Sequence, residues 1–260
     1  MTTNRRFSTA LQALTELKTD ASASPSKPTV AGAPSLSDVL AKIGSLPPEA
    51  LLLGVASDGL PVLLNLYDAH PGPMLIAGDA GSGKTAFLQT IARSVTQTHR
   101  SSDLQFGVIT NYPDEWETTE AYPHRVGVFP VGHNSAQEFL QSLAAWAHSN
   151  KNTHQCMLLL VDDLESVASL DLEAVQHFRW LLLRGPARRV WPIVTLSAPR
   201  YGQVLAWLQN FRTRVFGHVG NERVAEALGA NKLAALDQLE AQIQFSLREK
   251  EKWLRFWLLG

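Results

Sequence analysis

Gly78-Asp79-Ala80-Gly81-Ser82-Gly83-Lys84-Thr85 has the spacing GxxxxGK[ST], and every fixed residue type in it has a chemical use. The glycines let the backbone turn tightly enough for successive N–H groups to converge on one anion. A lysine so placed reaches β- and γ-phosphates, and a threonine hydroxyl so placed ligates Mg²⁺. The flanks agree. Met74-Leu75-Ile76-Ala77 reads as a short buried strand feeding the loop, and Leu88, Ile91, Ala92 and Val95 fall on one face of a following helix. A strand, a Gly-rich turn and a helix N-terminus together make a phosphate cradle, which a Gly-rich turn ending in Lys-Thr by coincidence would not. The expected ligand is a nucleoside triphosphate, held by Gly78, Asp79, Ala80, Gly81, Ser82, Gly83, Lys84, Thr85 and Ala86.

A second acidic element completes this chemistry. Leu158-Leu159-Leu160-Val161-Asp162-Asp163 is an apolar run that ends in two carboxylates, the form of a Walker B strand. In open α/β sheets ligands bind at the C-terminal strand ends, where these carboxylates would emerge. Asp162 is expected to hold Mg²⁺ together with Thr85, and Asp163 stands where a water-polarising carboxylate is needed. A general base must come within ~3 Å of its target, directly or through one water, so the shorter reach of aspartate relative to glutamate matters. Pro192-Ile193-Val194-Thr195-Leu196-Ser197 reads as a further strand whose last residue, Ser197, is either a γ-phosphate sensor or a simple strand cap.

The elements that must position these groups alternate along the chain. Ser37-Asp38-Val39-Leu40 opens a short helix that closes near Gly44 and Pro47-Pro48. Leu51 to Val55 and Pro61 to Leu66 flank Ser57-Asp58-Gly59 as a β-hairpin. After the loop and its helix come strands at Leu104 to Thr110 and Val126 to Phe129, then a helix carrying Phe139, Leu140, Leu143, Ala144 and Trp146. Helical spacing returns at Val175, Phe178, Leu181 and Leu182 and stops at Gly185-Pro186. Strands alternating with helices argue for a parallel sheet covered on both faces. At the C-terminal end, Ile243, Phe245 and Leu247 alternate, a charged turn follows from Arg248 to Lys252, and Trp253 to Leu258 is apolar again. This reads as a terminal hairpin, although Trp253, Leu254, Trp257 and Leu258 also suit an amphipathic helix.

Ahead of this body, Phe7, Leu11, Leu14 and Leu17 repeat at helical spacing, and the stretch from Thr19 to Pro34 has the Ala, Ser, Thr and Pro content of a linker. The expected division is therefore residues 1–34 as a helix plus flexible linker and residues 35–260 as one ATPase-type domain. The leading helix would dock on a partner or on the protein's own body.

Composition narrows the class. The 260 residues are 45% hydrophobic and 18% charged, which describes a globular protein, and no apolar run approaches the ~20 residues that span a bilayer. No apolar core follows Arg5 and Arg6, so a secretory signal is not expected, and the cytoplasm is the expected compartment. A net charge of −1 excludes a global basic field for nucleic acid but leaves room for a local basic surface. Cys156, the single cysteine, reads as a buried strand thiol.

Several further segments resemble one family. Asp58-Gly59-Leu60-Pro61-Val62 with Asn65-Leu66, Pro73 to Thr85, Leu104 to Pro113, Tyr122-Pro123-His124 and Asn210-Phe211-Arg212-Thr213-Arg214-Val215 occur in the order and spacing of the FtsK/SpoIIIE motor domain, within the HerA–FtsK group of ring ATPases. The resemblance covers the chain from about Pro34 onward. It implies an α/β, RecA-like P-loop NTPase fold, with a mainly parallel sheet flanked by helices plus N-terminal and C-terminal β-hairpins. It also implies ATP and Mg²⁺ as ligands, a homo-oligomeric ring, and double-stranded DNA as cargo. In such rings an arginine from one subunit reaches the neighbour's γ-phosphate; Arg214 is the first candidate and Arg200 the second, each with an ordinary surface role as the alternative.

The chain departs from that pattern where hydrolysis is controlled. Asp163 replaces the usual glutamate, Asn111-Tyr112-Pro113 loses both charges of an Asp-Pro-Lys triplet, and Pro199 replaces the sensor glutamine. These departures bring the chain closer to the secondary ATPase modules of type VII secretion motors. Two functions follow from the resemblance: an ATP-hydrolysing DNA translocase using Lys84, Asp163, Ser197 and Arg214, or a nucleotide-gated interaction module with weak hydrolysis.

Overall fold

The computed structural model describes residues 34–150, 154–249 and 252–260, so the leading helix and nearly all of the linker lie outside the described residues. The framework is one ten-stranded sheet. Its strands are β1 (Ala50–Ala56), β2 (Pro61–Asn65), β3 (Met74–Gly78), β4 (Leu104–Thr110), β5 (Arg125–Pro130), β6 (Cys156–Asp162), β7 (Val190–Ser197), β8 (Thr213–Phe216), β9 (Gln244–Glu249) and β10 (Lys252–Trp257). They lie in the order β2-β1-β10-β9-β8-β3-β7-β6-β4-β5. From β8 to β5 all neighbours run parallel. The remaining strands join antiparallel: β9 pairs with β8, β10 with β9, and β1 with both β10 and β2. The two expected hairpins are both present. Pairing of Trp253 with Arg248 and of Phe256 with Phe245 decides the C-terminal ambiguity in favour of strands.

The parallel strands are buried on both sides, and their apolar residues alternate between two cores. Met74 and Ile76 of β3 face one core, while Leu75 and Ala77 face the other. On the first face lies helix α2 (Lys84–Thr98), which contributes Phe87, Leu88, Ile91, Ala92 and Val95. On the second lie α3 (Asn134–Ser149), the short α4 (Leu164–Ala168), α5 (Leu172–Arg184), α6 (Leu205–Leu208) and α7 (Glu222–Ala227). Helix α1 (Leu36–Ile43) starts at a Ser35 cap that accepts from the Asp38 amide. It packs Leu36 and Val39 against Leu52 and Val55 of β1. The Cys156 thiol is buried in β6, and that burial pushes its pKa up to about 11. Among the described residues no helix is long and apolar enough to cross a membrane.

Helix α2 is fixed to the C-terminal hairpin by aromatic packing. Phe87 is fully buried, with its ring centroid 4.8 Å from that of Phe245 and 5.8 Å from that of Phe256. The helix that follows the Gly78–Gly83 loop is thus held from beneath by β9 and β10. Phe87→Ala should cost about 4 kcal/mol, the transfer term plus an unfilled cavity. A urea titration checks this: the midpoint should fall while the slope stays constant.

Candidate functional site

Strand β3 ends at Gly78, and the chain then wraps around to the first turn of α2 at Lys84. Gly83 makes this turn possible. Its φ of +93° is left-handed, and a Cβ there would come within 2.5 Å of the Gln242 backbone, which also donates its amide to Ser82 O at 3.0 Å. Any side chain at this position would therefore both strain the loop and lift it from the segment leading into β9. The other end of the loop is fixed by Asp79. Its amide donates to His218 O at 2.9 Å, and its Oδ2 accepts from the Gly220 amide at 2.8 Å.

Helix α2 has no side-chain cap and no acidic residue in its first turn. The amides of Lys84, Thr85 and Ala86 point out of the helix start, where intrahelical acceptors are lacking by geometry. With the helix dipole they form a site suited to an anion. The Lys84 ammonium lies over the loop and donates to Gly78 O at 3.1 Å and Asp79 O at 2.8 Å. Burial pulls its pKa below the ordinary lysine value, while Asp162, Glu165, Asp79 and Asp163 push the other way. A partly desolvated cation held by neutral carbonyls gains from meeting an anion, because its charge is then offset at close range.

The Asp162 carboxylate, at the end of β6, meets this loop from across β7. Thr85 Oγ1 donates to Asp162 Oδ2 at 2.9 Å, and Thr195 Oγ1 of β7 donates to Asp162 Oδ1 at 2.9 Å. Thr195 Oγ1 also accepts from the Asp163 amide at 2.8 Å. Strand β7 lies between β3 and β6, so its side chains reach both motifs. Burial raises the Asp162 pKa, and the two threonine hydroxyls oppose that rise. A hydroxyl and a carboxylate oxygen side by side are the hard oxygen donors that Mg²⁺ prefers, and it commonly keeps water in its other positions. The donor set therefore fits that ion.

Beyond Asp162 the backbone is unusual. Asp163 has φ 100° and ψ 96°, an uncommon conformation for a residue with a side chain. Its Oδ2 accepts from Ser166 Oγ at 2.9 Å and from Asn111 Nδ2 at 3.4 Å, and Asn111 also donates to Ser166 Oγ. These bonds clamp the end of β4 to the start of α4.

The remaining expected residues lie at varied distances from the cradle. Ser197 ends β7 directly beside Gly78, and its side chain makes no capping bond. Arg200 is exposed in the turn after β7. Arg214 sits within β8 opposite Leu75, half-buried, and donates to Leu228 O at 2.6 Å and Leu208 O at 2.8 Å. Its guanidinium thereby ties together the ends of α6 and α7. Two participants were not expected from the sequence, Thr195 and Glu165. The only sequence signal for the first is a polar residue inside an apolar strand, and for the second a further acid after the Asp-Asp pair.

No family model matches the sequence, and no curated protein matches it. Solved structures do. ATPases 2 and 3 of EccC from Thermomonospora curvata, in complex with a signal sequence peptide, superpose with a TM-score of 0.71 at 14% identity, over 90% of this chain and 44% of that one. The pCW3 conjugation coupling protein TcpA, with ATPγS, gives 0.69 at 14% identity, over 90% of this chain and 71% of that one. ATPases 2 and 3 of EssC from Geobacillus thermodenitrificans give 0.65 at 13% identity, over 82% and 47%. The chain spans less than half the length of the two secretion ATPase chains. At these identities the likeness is one of fold.

Proposed function

Starting from a chain with the fold of FtsK/HerA-type ATPase domains, we propose that it binds ATP with Mg²⁺ in the Gly78–Ala86 cradle and hydrolyses it. The observation that carries this reading is the 2.9 Å contact between Thr85 Oγ1 and Asp162 Oδ2, which brings two distant motifs together as one donor set. The loop amides would bind the phosphate oxygens, with Lys84 between the β- and γ-phosphates. Thr85 and Asp162 would hold Mg²⁺, the latter through water. When bound, that ion neutralises charge developing on the phosphates. Ser197, paired with Gly78, would respond to the terminal phosphate.

The finer proposal is that hydrolysis drives double-stranded DNA through an oligomeric ring. Its support is the resemblance across the whole domain and the order of the motifs. Steady-state ATPase, with and without double-stranded DNA at low salt, tests it alongside mass determination with a slowly hydrolysed nucleotide. The expected result is DNA-stimulated turnover by an oligomer, with binding that weakens steeply as salt rises. Absence of both DNA binding and stimulation would sink the translocase reading.

A second reading, a nucleotide-gated interaction module with slow hydrolysis, is favoured by two contacts. Asp163 is engaged with Ser166 and Asn111, and Arg214 is engaged with two carbonyls of its own chain. That leaves Arg200 as the exposed arginine of the two available to a neighbouring subunit. Rapid multiple-turnover hydrolysis by the purified protein rules this second reading out.

A further inference from the structure

At the opposite end of β3 from the phosphate loop lies an open cavity of about 420 Å³. Its buried lining includes Leu53 of β1, Leu64 of β2 and Met74 of β3, and its half-exposed lining includes Leu60, Leu247 and Leu254. Met74 starts β3 and Gly78 ends it, so about 13 Å of strand separates the cavity from the nucleotide cradle. A cavity of this size takes a ligand or a cluster of inserted side chains. Leucines lining it gain free energy when something covers them.

One segment of the chain carries a matching surface and is tethered close by. Phe7, Leu11, Leu14 and Leu17 fall at helical spacing. An isolated helix of that length is marginal in water, so its apolar face needs a surface to pack on. The tether is Pro34, whose carbonyl accepts from the Gly260 amide at 3.0 Å. Two residues on, Leu36 packs with Leu259 against Leu52 of β1. Leu53, the next residue of β1, belongs to the opposite face and lines the cavity, as does Ala56, about 14 Å along the strand from Leu52. Strand β2 is the edge of the sheet, so a chain can pass around it from one face to the other. The 16 residues between Leu17 and Pro34 reach at most about 55 Å, and a chain of linker composition averages about 22 Å. A tether of that length presents its segment at an effective concentration of about 1 mM.

We propose that residues Phe7 to Leu17 dock as an amphipathic helix into this cavity of their own chain, placing apolar side chains between the β1–β2 and β9–β10 hairpins. The proposal is independent of the ATP reading, because the cavity shares no residue with the cradle. A surface that binds the untethered segment with a Kd of about 0.1 mM holds the tethered one in about ten chains of eleven.

The test uses the whole chain, with Leu11→Asp plus Leu14→Asp in the leading segment, Leu60→Asp at the cavity, and Gln12→Asp on the polar side of the helix as a control. The probe is a fluorescent peptide of residues 1–20. The wild type, its cavity filled, should bind this probe about tenfold more weakly than the Leu11→Asp, Leu14→Asp chain does. Adding Leu60→Asp to that chain should abolish probe binding, and Gln12→Asp should behave as the wild type. Hydrogen exchange gives a second reading. Amides from Phe7 to Leu17 should exchange about tenfold more slowly in the wild type than in the free peptide, and lose that protection in Leu60→Asp.

Equal probe binding by the wild type and the leading-segment variant overturns the inference, as does exchange of those amides at the free-peptide rate. Protection that appears only with rising concentration, together with the mass of a dimer, assigns the segment to a second copy and overturns it too. Protection that survives Leu60→Asp puts the segment elsewhere on the body and has the same force. Circular dichroism verifies that Leu60→Asp folds, and the milder Leu60→Ser provides the same comparison should it not.

Discussion

Lys84→Ala will remove most of the ATP-induced stabilisation while leaving the ligand-free protein about as stable as before. The two halves of this expectation have different causes. In the ligand-free protein the ammonium is already disfavoured by burial, which lowers its pKa despite four nearby carboxylates. A lysine whose folded pKa lies below its unfolded value gives the charged form no net stabilisation, so truncation forfeits little at neutral pH. With ATP bound, that same desolvated cation would face the β- and γ-phosphates, and its loss should weaken binding by about a hundredfold, or ~3 kcal/mol. Ligand present at about a hundred times Kd stabilises the wild type by about 2.7 kcal/mol, which is a Tm gain of about 8 °C for a domain of this size. A thermal unfolding series with and without ATP and Mg²⁺ measures both halves. A variant that still gains the wild-type shift would exclude Lys84 as a phosphate ligand.

How much of this site was legible beforehand depends on how local each part is. The loop at Gly78 to Thr85 is contiguous, so its spacing alone specifies a strand, a turn and a helix start. The strands of the parallel region, such as Met157 to Val161, were readable because burial on both faces makes them continuous apolar runs. The sequence left the last strand ambiguous, since Trp253, Leu254, Trp257 and Leu258 fit a helical face as well as a strand. What decides it is pairing with β9 on one side and β1 on the other. Thr195 was invisible for a related reason: it reaches Asp162 across the sheet from 33 positions away, and only strand order brings them together. Arg214 lies in a segment that resembles a family motif, yet its side chain is bound to Leu208 and Leu228, a matter of packing that spacing does not encode.

Thr195→Val is expected to be strongly damaging for a change that opens no cavity, and its effect should depend on pH in a defined direction. The two side chains have nearly the same shape, so the substitution removes a hydroxyl without opening a cavity. That hydroxyl is fully buried and has two roles: it donates to Asp162 Oδ1 and accepts from the Asp163 amide, each at 2.9 Å or less. Removing it leaves a buried carboxylate oxygen and a buried amide short of one partner each, which should cost about 3 kcal/mol, or about 8 °C in Tm. Asp162 already has a pKa raised above its ordinary value of 3.8, chiefly by burial, with Thr85 and Thr195 opposing the rise. A carboxyl whose folded pKa exceeds its unfolded one holds its proton longer when folded, so its ionisation lowers stability as pH climbs from the unfolded value through the folded one. Without Thr195 the folded pKa rises further and the charged form loses more. The deficit of the variant should therefore be full at neutral pH and shrink as acid protonates Asp162 in the folded state. Urea midpoints for both proteins, measured from neutral pH down toward the ordinary carboxylate range, make the comparison. A deficit that stays constant or grows on acidification would show that Thr195 supports the amide of Asp163 and not the charge of Asp162. Because Asp162 is also the partner of Thr85, the same variant should weaken Mg²⁺-dependent nucleotide binding more than binding without the ion. That split ties the buried hydroxyl of β7 to the metal side of the site.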